Sequence, residues 1–454
     1  MSKRLRLPIL IVVMAVIAVA CTSGSTTTTT AAPATTAAPA TTAAPATTAA
    51  PATTEAPMTG VTCDEPITVG VITDQTGPLA IYGAHMMRGV PIGFQYATGD
   101  DGADGVYTLD NCDIRVVFKD DQSNPELSAT DARELIEVEG ASILIGTVSS
   151  GVTATLQEIA RENNVILIAA PAAANDMTGA TFNPNTFRSS RNNYQDAIAL
   201  CQYLTKDYST FVQIAPDYSF GYGGAAALRD ACTFYGGTFS ADDVFAPADT
   251  TDFTPYMEQI ADVDAEALLV TWAGGGFVPL LQAATDLGVL DSKVMASPFV
   301  DNVVMPAFFA NAIGTTSTIL YHYTAADNPV NDYLIAQDQA QFSTFPDLFD
   351  ADGMNAALMV IEALKATGGA ADADSLRSVL EGMQFDGPKG TIFIRPEDHV
   401  AIQDMYVVTL KNVTDPEFKY YDYVETVRPE PPCLLEGEYV SRCGTLPVGS
   451  LSGN

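Results

Sequence analysis

The sequence predicts an α/β protein built from two successive parallel-sheet units, and three observations predict it. Short apolar runs alternate with helical patterns; the alternation restarts near residue 210; and the roughly 395 residues of the body exceed one ordinary hydrophobic core. In the first unit the order is ITVGVI (67–72), a helix from about Ala84, DIRVVF (113–118), a helix from about Pro125, SILIGT (142–147), a helix from Val152, and VILIAA (165–170). Within the helix after Gly151, Val152, Leu156, Ile159 and Ala160 share one face, which leaves Gln157, Glu158 and Arg161 for solvent. The second unit reads TFVQIA (210–215), a helix from about Gly223 to Phe234, DVFA, a helix from Thr254, ALLVTW (267–272), a helix from Val278 and KVMAS (293–297).

Open parallel sheets bind ligands beyond the carboxyl ends of their strands. The loops expected there are DQTGPLAIYG, TVSSG, APAAAND, PDYSFGYGG and AGGGF. All are small or turn-rich, so backbone amides can approach a ligand, and SSG ahead of a helix offers amides and hydroxyls to an anion. Any α/β protein also needs Gly, Ser and Asp at such turns, so no single loop is diagnostic.

The N-terminus carries Lys3, Arg4 and Arg6, an apolar stretch from Leu7 to Ala20, then Cys21: the order of an export signal. Ala18-Val19-Ala20-Cys21 resembles a bacterial lipobox, with Ala18 where Leu is preferred; the alternative is an ordinary signal peptide cut near Ala20. From Thr22 to Thr54 there is no charge, and AAPATT repeats in tandem. Such a segment buries no core and serves as an extended tether. Loss of the three leader cations takes the formal charge from −34 to −37, a surface that repels nucleic acid and anionic lipid headgroups. Besides Cys21 there are six cysteines, which in an exported chain allow fifteen pairings. Sequential pairing is expected: Cys63 with Cys112, each just before a strand-like run; Cys201 with Cys232, on two helices; and Cys433 with Cys443, closing a C-terminal loop. None has the CxxC spacing of a zinc site, and His85, His322 and His399 stand apart in sequence as surface or packing residues, so neither metal nor cofactor is expected.

Three segments carry a family resemblance: ITVGVITDQTGPLAIYGAHMMRG, KDDQSNPELSATDARELIEVEGASILIGTVSS and GPKGTIFIRPEDHVAIQDMYVV. From about Pro66 to Leu410 the chain resembles the leucine/isoleucine/valine-binding family of periplasmic-type solute-binding proteins. The resemblance implies the type I periplasmic-binding-protein fold: two Rossmann-like lobes joined by a hinge that the chain crosses three times, here near Arg188, Leu320 and Asp404. The implied organisation is a leader over 1–21, a tether over 22–59, an N-lobe of 60–187 plus 321–404, and a C-lobe of 188–320 plus 405–454 with a C-terminal extension. It further implies an extracytoplasmic, lipid-anchored monomer that is no enzyme and delivers a small solute, such as a branched-chain amino acid or a related carboxylate or amide, to the permease of an ABC importer.

The implied ligand contacts are Tyr82, Ser149, Ser150 with Gly151, and Ala172 with Ala173. Departures matter as well. A threonine hydroxyl is lost at Ala173, a tyrosine hydroxyl is lost at Phe220, and the acid that clamps an amino acid's ammonium falls on Pro298. A buried ammonium without a partner costs several kcal/mol, so Asp301 or Asp217 must replace that acid, or the ligand is no ordinary amino acid. Trp272 and Phe299 join Tyr82 and Phe220 near the expected cleft, with Trp272 equally open to a core role. Two rival functions remain: a lipid-anchored sensor acting through a partner, and, with less support, an exported dinucleotide enzyme, for which GYGGAA (221–226) and Asp242 fit the loose fingerprint but stand too far from the strand end.

Overall fold

The computed structural model describes residues 60–453 except Phe299, all within one compact unit spanning Pro57–Asn454. The leader, Cys21 and the tether lie outside the described residues. Among those described, no helix is long and apolar enough to cross a membrane.

In chain order the first unit contains β1 (Ile67–Thr73), α1 (Ala80–Thr98), β2 (Val106–Leu109), β3 (Cys112–Asp120), α2 (Pro125–Glu137), β4 (Ala141–Gly146), α3 (Ser150–Asn163), β5 (Ile166–Ala169) and β6 (Thr186–Arg188). They form one sheet ordered β2-β3-β1-β4-β5-β6. All neighbours are parallel except β2, which pairs antiparallel with β3 through a tight turn at Asp110 (φ 54°). That edge strand was not expected from the sequence, because VYTL is too short to stand out from the turn residues beside it. All seven residues of β1 are buried, as befits a strand covered on both faces.

The second unit follows with α4 (Asn193–Leu204), β7 (Thr210–Pro216), α5 (Ser219–Phe234), β8 (Thr238–Phe239), β9 (Val244–Ala246), α6 (Thr254–Ala261), β10 (Ala267–Val270), α7 (Phe277–Asp286), α8 (Val289–Ser292) and β11 (Val294–Ala296). Its parallel sheet runs β11-β10-β7-β8, with β9 also on β7. The remainder comprises α9 (Met305–Phe308), β12 (Thr316–Ile319), α10 (Pro329–Phe342), α11 (Asp350–Thr367), α12 (Ala373–Leu380), β13 (Gln384–Gly387), β14 (Gly390–Ile394), β15 (Ala401–Ile402), β16 (Met405–Leu410) and β17 (Tyr421–Val427). Strands β12, β16 and β17 make a small antiparallel sheet, as do β13, β14 and β15.

Two lobes result, each completed by chain that returns to it. The first core joins Val69, Ile143 and Phe187 to Leu320, Met359 and Met405, while the second joins Val212, Leu268 and Trp272 to Leu410 and Tyr420. Disulfides Cys63–Cys112, Cys201–Cys232 and Cys433–Cys443 match sequential pairing. The C-terminal tail touches both lobes: Arg442 donates to Glu397 O, and the Leu451 amide donates to Asp230.

Several helices begin earlier than their apolar periodicity suggests. The Asp74 carboxylate accepts the Gly77 and Leu79 amides, which completes the turn after β1 and lets α1 start at Ala80 instead of about Ala84. Gly83 permits this, since a Cβ there would lie 1.5 Å from Asp74 O. Likewise α5 starts at Ser219, so GYGGAA lies inside a helix and not in a phosphate-binding turn. Gln157 was assigned to solvent but is 1% exposed, because its amide donates to Met177 O at 2.7 Å and ties α3 to the segment after β5. The histidines are all buried, which removes the surface alternative for each.

Replacing Gly83 by alanine forces α1 off the first loop. The Gly83→Ala protein is expected to lose about 3 kcal/mol of stability, read as a lower urea midpoint with unchanged disulfides.

Candidate functional site

The sheet orders define two switch points. In the first sheet β1 connects outward to β3 on one side and β4 lies on the other; in the second, β7 leads to β8 and β9 on one side with β10 on the other. At such a point adjacent loops diverge and leave a crevice. The loops after β1 and β4 bring Leu79, Tyr82, Val148 and Ser150, and those after β7 and β10 bring Tyr218, Phe220 and Ala273, to one cleft of about 320 Å3, open solvent included. Pro171, Ala173, Arg191 and Phe349 complete its wall.

One end of the cleft suits an anion. Ser150 is the first residue of α3 and 3% exposed; its Oγ accepts the Ala174 amide at 3.2 Å and keeps a hydrogen to donate. The leading amides of α3 have no partner within the helix, and its dipole favours negative charge. Arg191 stands beside them, 1% exposed, with Nη1 donating to Pro171 O at 2.7 Å, the guanidinium 5.2 Å from the Phe349 ring, and Nε 3.4 Å from Asp196. Burial pushes the Asp196 carboxyl up to about 6, against the pull of Arg191. Behind this wall the buried Arg188 donates to Ala172 O, Ala174 O and Thr178 Oγ1, which fixes the loop that carries Ala173.

The other end is aromatic. Tyr82 meets Phe349 edge to face at 5.1 Å, and Tyr218 lies 5.9 Å from Phe220. Tyr82 also crosses between lobes, since its hydroxyl donates to Asp301 Oδ2 at 3.1 Å and accepts the Gly274 amide at 3.2 Å. Gly274 (φ +75°) is itself pressed on the first loop, with an added Cβ 2.7 Å from Leu79 and 2.8 Å from Pro78 O. The GPLAIYG stretch is therefore the surface on which the second lobe closes, and Tyr82 offers the cleft its ring.

Of the residues expected at the site, Tyr82, Ser150, Ala173 and Phe220 line the cleft. Three do not: Ser149 caps α3, Ala172 faces Arg188, and Trp272 is 1% exposed in the second core against Phe253. Phe299 lies outside the described residues. Asp217 is exposed and bonded to Tyr222, away from the cleft, and Pro298 lines a separate small recess with Asp196. Asp301 is present but is engaged by Tyr82. Sequence reasoning missed Arg191, Tyr218 and Phe349. The signal for Arg191 was a cation three residues past the expected first hinge crossing; Tyr218 returns, two positions early, the hydroxyl that Phe220 lacks.

Several acids are buried outside the residues that line the cleft. Burial first, then the Asp347 charge, pushes Asp301 up to about 8; burial, then Asp74, pushes Asp121 up to about 7; burial pushes Asp338 up to about 7. His85 and His322 are driven down to about 3 and about 4 by burial. At pH 6.5 the histidines of the unfolded chain are still about half protonated and lose those protons by pH 8, a small stabilisation on raising pH that is outweighed by the buried acids. They hold protons when folded that the unfolded chain has lost, and stability must fall as pH rises from 6.5 to 8. Denaturant titrations at those two pH values should show a loss on the order of 2 kcal/mol, with a smaller drop in Asp301→Asn.

The periplasmic binding protein family matches residues 66–415. The Leu/Ile/Val-binding protein homolog 6 of Brucella abortus (strain 2308) is 26% identical over 364 residues, spanning 77% of this chain and 88% of that protein. A crystal structure of an ABC-type branched-chain amino acid transporter from Rhodopseudomonas palustris CGA009 is 33% identical, with a TM-score of 0.67 over 80% of this chain and 96% of that one. A solute-binding protein of Rhodopseudomonas palustris BisB5, solved with 3,4-dihydroxybenzoic acid, is 22% identical, with a TM-score of 0.70 over 80% and 97%. With the match running over most of the chain and two switch points facing one cleft, the chain belongs to the periplasmic binding protein family, as an extracytoplasmic solute-binding protein.

Proposed function

We propose that the chain captures a small carboxylic acid with an aromatic or compact apolar body and presents the closed form to the permease of an ABC importer. The observation that carries this reading is that Arg191 and Ser150, the latter at the N-terminus of α3, line one cleft with the rings of Tyr82, Tyr218 and Phe349, the last against the guanidinium itself. A carboxylate meets a guanidinium, a hydroxyl and helix amides there. Among the described residues an α-ammonium finds no acid on the cleft wall, because Asp301 is bonded to Tyr82 behind it and Asp217 is outside. The importer half of the reading is in line with the ABC transporter description of one solved neighbour, and the ligand half with another that was solved with benzoate.

In this reading the boundaries are an N-lobe of 60–187 plus 321–404 and a C-lobe of 188–320 plus 405–454. The chain acts as a monomer, performs no catalysis, and is held to the membrane by lipid on Cys21. Replacement of that residue in Cys21→Ser should move the protein from the membrane fraction to the soluble one.

The deciding experiment is a thermal-shift screen, since a ligand of the closed form alone raises Tm by mass action. Benzoate and 4-hydroxybenzoate should raise Tm, and leucine, isoleucine and valine should leave it unchanged; a strong shift with leucine would sink the carboxylate reading. Calorimetry with the best acid should show Arg191→Gln weakened at least tenfold, about 1.5–3 kcal/mol for a hydrogen bond to a charged group, and Ser150→Ala by about 1 kcal/mol.

A further inference from the structure

Behind Tyr82, outside the cleft, three buried side chains from the two lobes converge. His85 lies on α1, Asp347 just before α11, and Asp301 comes from the second lobe between β11 and α9. One ligand atom from each lies within 4.8 Å of the others. Asp301 is 5% exposed, and while its Oδ2 takes the Tyr82 hydroxyl, its Oδ1 is buried with no hydrogen-bond partner. Asp347 is held rigidly by the amides of Asn302 (3.0 Å) and Leu348 (2.8 Å).

The surrounding charge does not balance. Arg88 is committed to Asp350 through Nε (2.9 Å) and Nη2 (2.7 Å), and its Nε lies 3.6 Å from Asp338, neither of whose oxygens is hydrogen-bonded. Three buried carboxylates, Asp350, Asp338 and Asp347, thus act on one guanidinium, and Asp301 lies beside Asp347. Uncompensated charge of this kind is costly to bury, so it must be balanced either by protons on the acids or by a bound cation.

We propose that His85, Asp301 and Asp347 bind a divalent cation of the zinc class that bridges the two lobes and stabilises the closed form. An imidazole with two carboxylates is a donor set that zinc accepts, with a fourth position left for water. Buried as it is, the His85 ring is neutral, and its one hydrogen bond among the described residues, from the Phe349 amide to Nδ1, is long at 3.4 Å, so the ring can exchange it for a metal. A bound cation replaces the proton that the two carboxylates otherwise hold. Only Asp301 comes from the second lobe, so the site is complete only on closure and links cation binding to the hinge. This inference is independent of which organic solute occupies the cleft.

The test is titration of the chelator-treated protein with zinc chloride at pH 7.5, followed by calorimetry and by metal analysis after dialysis. Expected are one retained equivalent per chain, a raised Tm, and a radius of gyration in solution that falls as zinc is added. With 55 acidic residues in the sequence, weak surface binding is to be expected, and the variants separate it from the site. Asp301→Asn and His85→Gln should each weaken the retained equivalent at least tenfold and abolish the contraction; if one fails to fold, the other decides. No retained equivalent, binding unchanged in a folded variant, or contraction that answers to acidification and not to zinc would overturn the proposal, the last by showing that a shared proton balances the charge.

Discussion

The hydroxyl of Tyr82 is the interaction on which the closed molecule depends. It donates to Asp301 and accepts from Gly274, both on the opposite lobe, so the residue that walls the cleft is also the residue that joins its halves. For those two bonds to form, α1 must start at once after the first turn, which requires the Asp74 carboxylate to gather the loop amides and Gly83 to sit against Asp74 O. Gly274 must in turn accept contact with Pro78 and Leu79. A turn, two glycines and one phenol thus translate a local sequence pattern into a lobe-scale geometry.

The chemistry of the cleft follows from how its charges are already spent. Arg191 is buried beside Asp196, with its flat face toward Phe349, so it is oriented before a ligand arrives. Pre-orientation lowers the entropy cost of recognition and favours a planar anion over a flexible one. Asp301, the acid nearest to the expected ammonium clamp, is turned away from the cleft by Tyr82. The absence of a clamp at Pro298 is therefore not repaired by the neighbouring acid, which serves the lobe contact.

Much of the fold was legible in the sequence because it rests on periodicity. Continuous apolar strands such as ITVGVI and LLV, separated by helical stripes, leave few arrangements other than two parallel sheets, and the placement of Cys63 and Cys112 ahead of paired strands already implied their bond. Helix starts at Ala80 and Ser219 were less legible, because capping by Asp74 and early glycines leaves no apolar trace. The site was half legible. Ser150 and Tyr82 follow from strand-to-helix turns, whereas Arg191 reaches the cleft from just after β6 and Phe349 from the returning chain before α11. Trp272 shows the opposite error: an aromatic beside a site loop points inward when the strand before it leaves no other register. His85, Asp301 and Asp347 meet across separations of 216 and 46 residues, which no spacing rule detects.

Because a single phenol serves as both wall and latch, the protein cannot tune its choice of solute separately from its resting hinge equilibrium. A substitution at Tyr82 that enlarged the cleft for a bulkier acid would also remove the bonds to Asp301 and Gly274, and the gain in fit would be offset by a more open apo ensemble and a shorter residence time. Drift toward new solutes is easier at Phe220, Tyr218 or Ala173, which line the cleft without taking part in the Tyr82 hydrogen bonds. The evolutionary freedom of the pocket is thereby concentrated on its second-lobe and loop walls, while the α1 wall is constrained by mechanics.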